Sequence, residues 1–156
     1  MSAGPARASH GFGEELRILT VNVDGLGNHA QLSDADRMHA ILDMALAQSP
    51  DIILLQEVVE DMFAVVKRRL QGWKLRRRAR HEWPYFIVTA ARAPDDSAVF
   101  ETTSHPFPTS SSGRHVLTVR CNGWAVVNAH AESGRTQEQR AERMEQLEYM
   151  SRMHEL

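Results

Sequence analysis

The chain has 156 residues, of which 42% are hydrophobic and 24% charged, with a net charge of −2; this describes one soluble globular domain with a single sizeable core. The near-neutral average gives no electrostatic case for nucleic acid, and a single cysteine, Cys121, excludes an internal disulfide or a cysteine-rich zinc site and points to a reducing compartment. No apolar run reaches the roughly 18–20 residues of a bilayer span and no hydrophobic signal region opens the chain, so the expectation is an intracellular protein, cytoplasmic or nuclear, without a membrane partner.

Residues 1–13 read as a disordered tail and residues 14–156 as the domain. Leu16 to Val23 is a strand rich in Leu, Ile and Val, ending in the turn-forming Asp24-Gly25-Leu26-Gly27-Asn28. Asn22 and Asp24 therefore sit at a strand's end, on one side by the two-residue period. Ser33 caps a helix over residues 34–48, in which Ala35, Met38, Ile41, Leu42, Ala45 and Leu46 recur at helical spacing. Ser49-Pro50 ends it, because a residue before proline is pushed out of helical geometry. Ile52-Ile53-Leu54-Leu55 then reads as a strand buried on both faces, with Glu57 emerging at its carboxyl end, where open α/β sheets bind ligands.

Asp61 to Leu70 is a second helix with Phe63, Val66 and Leu70 inward. Trp73 to Ala79 and Pro84 to Ala90 read as one strand pair, Val99 to Thr103 and His115 to Arg120 as another. Gly123 to His130 is a further buried strand. Gln137 to Met153 is a helix whose Ala141, Met144, Leu147 and Met150 mark a stripe expected to be core, or an association surface if left exposed. Lys67 to Arg80 holds eight basic residues in fourteen. Solvated edge charges explain that run; so does a phosphate-tracking patch, with Trp73, Trp83 and Tyr85 available to stack on bases.

Three apolar runs thus end on Asn22, Glu57 and His130. Each alone is an ordinary turn, solvated or core residue. Brought together in one crevice, they would combine an amide, a carboxylate and an imidazole. A carboxylate with water suits Mg²⁺, and an imidazole can donate to a phosphate oxygen. Physical chemistry alone leaves phosphoester hydrolysis and plain anion binding both open. His81, His105 and His115 show no metal-ligand spacing.

Leu19-Thr20-Val21-Asn22-Val23-Asp24-Gly25-Leu26, then Pro50 to Val58, then Asn128-Ala129-His130-Ala131-Glu132-Ser133 occur in this order. Together they resemble the first three motifs of the endonuclease/exonuclease/phosphatase superfamily. Within it, the likeness is greatest to the tyrosyl-DNA phosphodiesterase 2 family, and it extends through Phe107 to Ser110, Gly113-Arg114 and the Gln139 to Leu147 helix. The resemblance implies an α/β fold, the N-terminal portion of a two-sheet sandwich, with one sheet flanked by helices and the second largely missing.

It further implies a Mg²⁺-dependent phosphodiesterase, with Mn²⁺ as a substitute, acting on DNA ends, above all a tyrosine joined to a 5′ DNA phosphate. By the same resemblance Glu57 is the metal ligand, and Asn22 and His130 are catalytic. Asp24, Arg114, Ser133, Arg76, Arg77 and Arg78 are substrate-binding. Other substrates of the superfamily type, such as a phospholipid, an inositol phosphate or an RNA tail, fit the same motifs. The superfamily pattern continues with Gly-Asp-x-Asn and Ser-Asp-His motifs, and neither occurs in this sequence. Three expectations follow from that departure. The chain is a fragment, or is completed by another chain through its incomplete sheet or last helix, or is a remnant that binds phosphate or nucleic acid without full activity.

Overall fold

The computed structural model describes residues 15–27, 31–77, 84–92, 101–121 and 124–153. The expected tail of residues 1–13, Arg78, and His81 lie outside the described residues. Ten elements follow in chain order: β1 (Ile18–Asn22), α1 (Asp34–Ala47), β2 (Ile52–Val58), α2 (Glu60–Arg69), β3 (Trp73–Arg77), β4 (Phe86–Arg92), β5 (Glu101–Pro106), β6 (His115–Cys121), β7 (Trp124–Ala129) and α3 (Gln137–Ser151). They build two sheets, one of four strands in the order β1-β2-β4-β3 and one of three in the order β5-β6-β7. Among the described residues no helix is long and apolar enough to cross a membrane.

β2 is the strand on which both layers close. Its alternation sends Ile53 and Leu55 into a cluster with Met38 and Leu42 of α1 and Met62, Val65 and Val66 of α2. The opposite face sends Ile52 and Leu54 against Ala91 of β4 and Val126 of β7. A strand covered by helices on one side and a second sheet on the other has no polar face to show, hence its unbroken apolar run. β1 pairs with it in parallel, Ile18 opposite Ile52, and β4 pairs antiparallel.

α1 is capped as its sequence directs: the Ser33 hydroxyl accepts from the Asp36 amide, with Asp34 and Asp36 in the positive first turn. α3 begins with a full capping box between Thr136 and Gln139. It packs on the outer face of the three-stranded sheet, where Met153, Tyr149 and Met150 meet Phe107, Val116, Val127 and Ala129. The molecule is therefore layered as helices, sheet, sheet, helix.

Three placements are decided by the tertiary fold. β1 is an edge strand, with Ile18 48% exposed. β7 does not share a sheet with β1 and β2, because the intervening β6 hairpins it onto the second sheet. On α3, Met144 (60%) and Leu147 (47%) face outward with Ala141, while Gln146 (0%) is buried and Met150, the fourth residue of the stripe, packs partly buried on the second sheet. Helix α3 turns Gln146 inward because that side chain is fully bonded: its amide donates to Thr109 O at 2.9 Å and its oxygen accepts the Glu132 amide at 2.8 Å. A buried amide with both ends satisfied competes successfully with a methionine for the inner position.

Candidate active site

The site forms where β1, β2 and β7 end. Beyond Leu55 the pairing of β2 with β4 slips, from Leu55 opposite Val88 to Val58 opposite Phe86, so β2 carries one extra residue. Such a bulge re-aims a side chain. Glu57 takes it up with φ +58°, a conformation uncommon for a residue with a Cβ and one held only by strong surroundings. Val23 N donates to Gln56 O and Gly25 N to Glu57 O, each at 3.0 Å, zipping the β1–α1 loop onto the bulge. Gly25 has to be glycine here, since a Cβ would stand 2.3 Å from Glu57 O and 2.8 Å from Val59 Cγ1. From α1, Arg37 holds the same loop, donating to Val23 O at 2.6 Å and Asp24 O at 3.1 Å while pairing with Asp34.

Asn22, Glu57 and His130 come together as the strand ends suggested. Glu57 Oε1 accepts from Asn22 Nδ2 at 3.1 Å and lies 3.2 Å from His130 Nε2. Asn22 Oδ1 takes the Asp24 amide at 2.9 Å, which locks the amide orientation and leaves Asp24 at φ +48°. The convergence is across two sheets, not along one edge: Asn22 and Glu57 come from the first and His130 from the second.

Burial, and then the Arg114 charge, lower the pKa of His130 below its ordinary 6.5 against the opposing pull of Glu57 and Glu132. A lowered pKa favours the uncharged ring at neutral pH, and Nε2 stands 3.2 Å from Glu57 Oε1, close without being aligned as a hydrogen bond. Nδ1 is buried without a hydrogen-bond partner.

Arg114 enters from the loop before β6. Its side chain is 9% exposed and its Nε stands 3.3 Å from Oε2 of Glu132, itself 3% exposed. That approach is close without being aligned as a hydrogen bond, and both Nε and Nη1 are buried donors with no hydrogen-bond partner. Nη2 reaches Ser133 Oγ only at 3.5 Å. The Arg114 guanidinium lies 5.9 Å from the Tyr85 ring centroid, and the His130 ring is another 5.9 Å from that centroid. Tyr85 thus neighbours both the Arg114 guanidinium and the His130 ring.

Glu132 organises this side. It accepts from Ser110 Oγ (2.8 Å), Ser112 N (3.2 Å) and Ser112 Oγ (3.0 Å). Burial by itself raises its pKa, yet these hydrogen bonds and the Arg114 charge outweigh it and leave the pKa below the usual 4.5. Arg143 from α3 fixes the Glu132 and Gly134 carbonyls.

The basic run is divided by the pleat of β3. Arg76 points toward the second sheet and donates to Thr102 Oγ1 at 3.0 Å. Arg77 points to the helices, pairs with Glu60 at 2.6 Å and stacks over the rings of Phe63 and Phe86. Arg69 is occupied by Asp43.

As a metal centre the donor set is thin. Among the described residues no group of three His, Cys, Asp or Glu side chains is placed to hold an ion, and Glu57 is the carboxylate at the convergence. One carboxylate fits a Mg²⁺ held mainly by water and substrate phosphate, and does not fit a cage made by the protein.

Human tyrosyl-DNA phosphodiesterase 2 is 28% identical over 139 residues, 86% of this chain and 36% of the human protein; the Gallus gallus protein is 28% identical over 137 residues. Among solved structures, tyrosyl-DNA phosphodiesterase 2 of D. rerio complexed with single-strand DNA product superposes with a TM-score of 0.72 at 27% identity, covering 90% of this chain and 55% of that one. Truncated tyrosyl-DNA phosphodiesterase 2 of Caenorhabditis elegans gives 0.75 at 26%. The chain resembles the endonuclease/exonuclease/phosphatase superfamily in fold and tyrosyl-DNA phosphodiesterase 2 in sequence. A 3′ phosphatase from Neisseria, at 20% identity and a TM-score of 0.60, shares the fold. No family model matches the chain. It spans about a third of the length of the curated tyrosyl-DNA phosphodiesterase 2 proteins it matches.

Sequence reasoning missed Asn128, Gln56 and Arg37, and gave Glu132 no role. A signal was present for the first: Asn128 is a polar residue on the inward period of a buried strand, two positions after Val126.

Proposed function

We propose that this chain carries part of the site of a divalent-metal-dependent phosphodiesterase acting on DNA ends, with a 5′-tyrosyl-DNA phosphodiester as the substrate of first choice. The observation that carries the reading is the meeting of Asn22, Glu57 and His130 beside the buried, unpartnered donors of Arg114.

Glu57 is the residue that would hold Mg²⁺, or Mn²⁺ in its place; the ion supplies neutralisation of phosphate charge and of a developing oxyanion. Asn22 keeps that carboxylate oriented and presents its amide to phosphate or nucleophile. His130, in its uncharged form, can present a ring N–H to a phosphate oxygen. Arg114 provides the donors and charge that a phosphodiester lacks in water-poor surroundings, and Tyr85 gives an apolar wall against which an aromatic leaving group can lie. Ser133 and Asp24 border the same crevice. Arg76, Arg77 and Arg78 are proposed to add positive charge for DNA binding rather than one continuous track, since Arg76 and Arg77 leave β3 on opposite faces.

The likeness to a protein solved with single-strand DNA product supports the substrate class. The test is Mg²⁺-dependent release of tyrosine from a 5′-tyrosyl oligonucleotide, with Glu57→Ala as control. Turnover abolished by that substitution supports the reading. A second reading, a phosphate- or nucleic-acid-binding domain without turnover, is favoured by the single carboxylate at the site. Retained oligonucleotide binding with no tyrosine release selects it over the first.

A further inference from the structure

We infer that Asn128 is a positioning residue for this site: from the second sheet, its buried side chain holds the β2 bulge in the form that aims Glu57 at Asn22 and His130. The functional meaning rests on the proposed role of Glu57; the geometry does not.

Asn128 is 1% exposed. Its Nδ2 donates to Val88 O at 2.9 Å and lies 3.3 Å from Leu55 O and 3.4 Å from Thr89 Oγ1. Leu55 and Val88 are the last in-register pair before the slip, where the ladder is interrupted and its carbonyls need outside donors. Asn128 Oδ1 in turn accepts from Gln56 Nε2 at 2.8 Å, and Gln56 Nε2 also contacts Thr20 Oγ1 at 3.2 Å.

Gln56 immediately precedes Glu57, and its backbone carbonyl is the one tied to Val23. Every hydrogen bond of the Asn128 side chain therefore ends on the bulge or on the β4 segment facing it. A buried amide serving only to fill the core has no reason to concentrate its bonds in this way. An unstrained strand would carry Gln56 and Glu57 to opposite faces and leave Glu57 at negative φ; the clamp on Gln56 fixes where the departure from that geometry begins.

The experiment compares the full chain with Asn128→Asp, which keeps the shape but loses the donors, and with Val126→Ala, which weakens packing on the same inward face of β7 and leaves the clamp intact. Gln56→Met provides a second route to the same break if Asn128→Asp does not fold. Two readouts are taken on folded protein. One is amide hydrogen exchange at Val23 and Gly25, whose N–H groups close on Gln56 O and Glu57 O. The other is Mn²⁺ affinity by electron paramagnetic resonance.

Loss of the clamp is expected to speed exchange at Val23 and Gly25 by about tenfold or more and to weaken Mn²⁺ binding by roughly 10–100-fold, the range for groups that orient a metal ligand. Val126→Ala should change neither relative to its overall stability. Exchange within about twofold of wild type in the Asn128 and Gln56 variants would overturn the inference, as would equal effects in Val126→Ala. Wild-type protein that holds no Mn²⁺ would remove the metal reading of Glu57 instead, and the exchange result would then decide the positioning by itself.

Discussion

Replacing Glu132 with alanine leaves the Arg114 guanidinium buried without a counter-charge, and the size of the resulting loss tests how the Arg114 side of the site is built. Arg114 is 9% and Glu132 3% exposed, 3.3 Å apart, so neither charge is screened as a surface pair would be. Removing one member of such a pair costs roughly 3–5 kcal/mol. The hydroxyls of Ser110 and Ser112 lose their acceptor as well. For a chain of this size that corresponds to a fall in Tm of the order of 6–20 °C.

Denaturant unfolding of wild type and Glu132→Ala measures the difference directly. The double variant Glu132→Ala/Arg114→Met should recover part of the loss, since the stranded charge is gone. The pH dependence carries a definite sign. Glu132 has a depressed pKa in the folded protein, so its contribution is fully present above the ordinary carboxylate value of 4.5 and is lost as pH falls through the folded pKa. The stability gap between wild type and Glu132→Gln should therefore be constant near neutrality and close under acid. A loss under about 1 kcal/mol for Glu132→Ala, or a gap that widens on acidification, would refute the buried-pair argument.

Gly25→Ala should destabilise by about 1–3 kcal/mol, because its new Cβ meets backbone at Glu57 O and backbone cannot rotate away; wild-type stability in thermal melts would mean the loop is looser than drawn. Reversing Arg76, Arg77 and Arg78 to Glu should weaken single-stranded DNA binding and lower its salt dependence, measured by fluorescence anisotropy at several salt concentrations. Because Arg77 is paired with Glu60 and stacked on Phe63 and Phe86, Arg77→Met alone separates the stability loss from the loss of charge. Binding that stays unchanged and salt-independent in the triple variant would exclude the patch from the DNA path.

Most elements are legible in the sequence because their signals are local. The Ser33 cap, the spacing Met38-Leu42-Ala45 and the Pro50 stop delimit α1 within a residue of where it lies. The unbroken Ile52 to Leu55 run declares a strand covered on both faces, and it is. Basic residues at 76 and 77 look like one patch in the sequence, yet the two-residue period of β3 sends them to opposite faces. The α3 stripe is misread for a related reason. Helical spacing identifies Ala141, Met144 and Leu147 as one face, but only the docking of Gln146 onto Thr109 and Glu132 decides that this face is the outer one.

The sequence by itself determined that three apolar strands end on Asn22, Glu57 and His130, since strand termini and side-chain type are written residue by residue. Tertiary structure alone decided that they meet. It did so by placing β7 on a different sheet from β1 and β2, slipping the β2 ladder by one residue, and bracing that slip with Asn128 from across the sandwich. Such long-range hydrogen bonds join residues some 40 to 70 positions apart, and no local pattern of hydrophobicity encodes them.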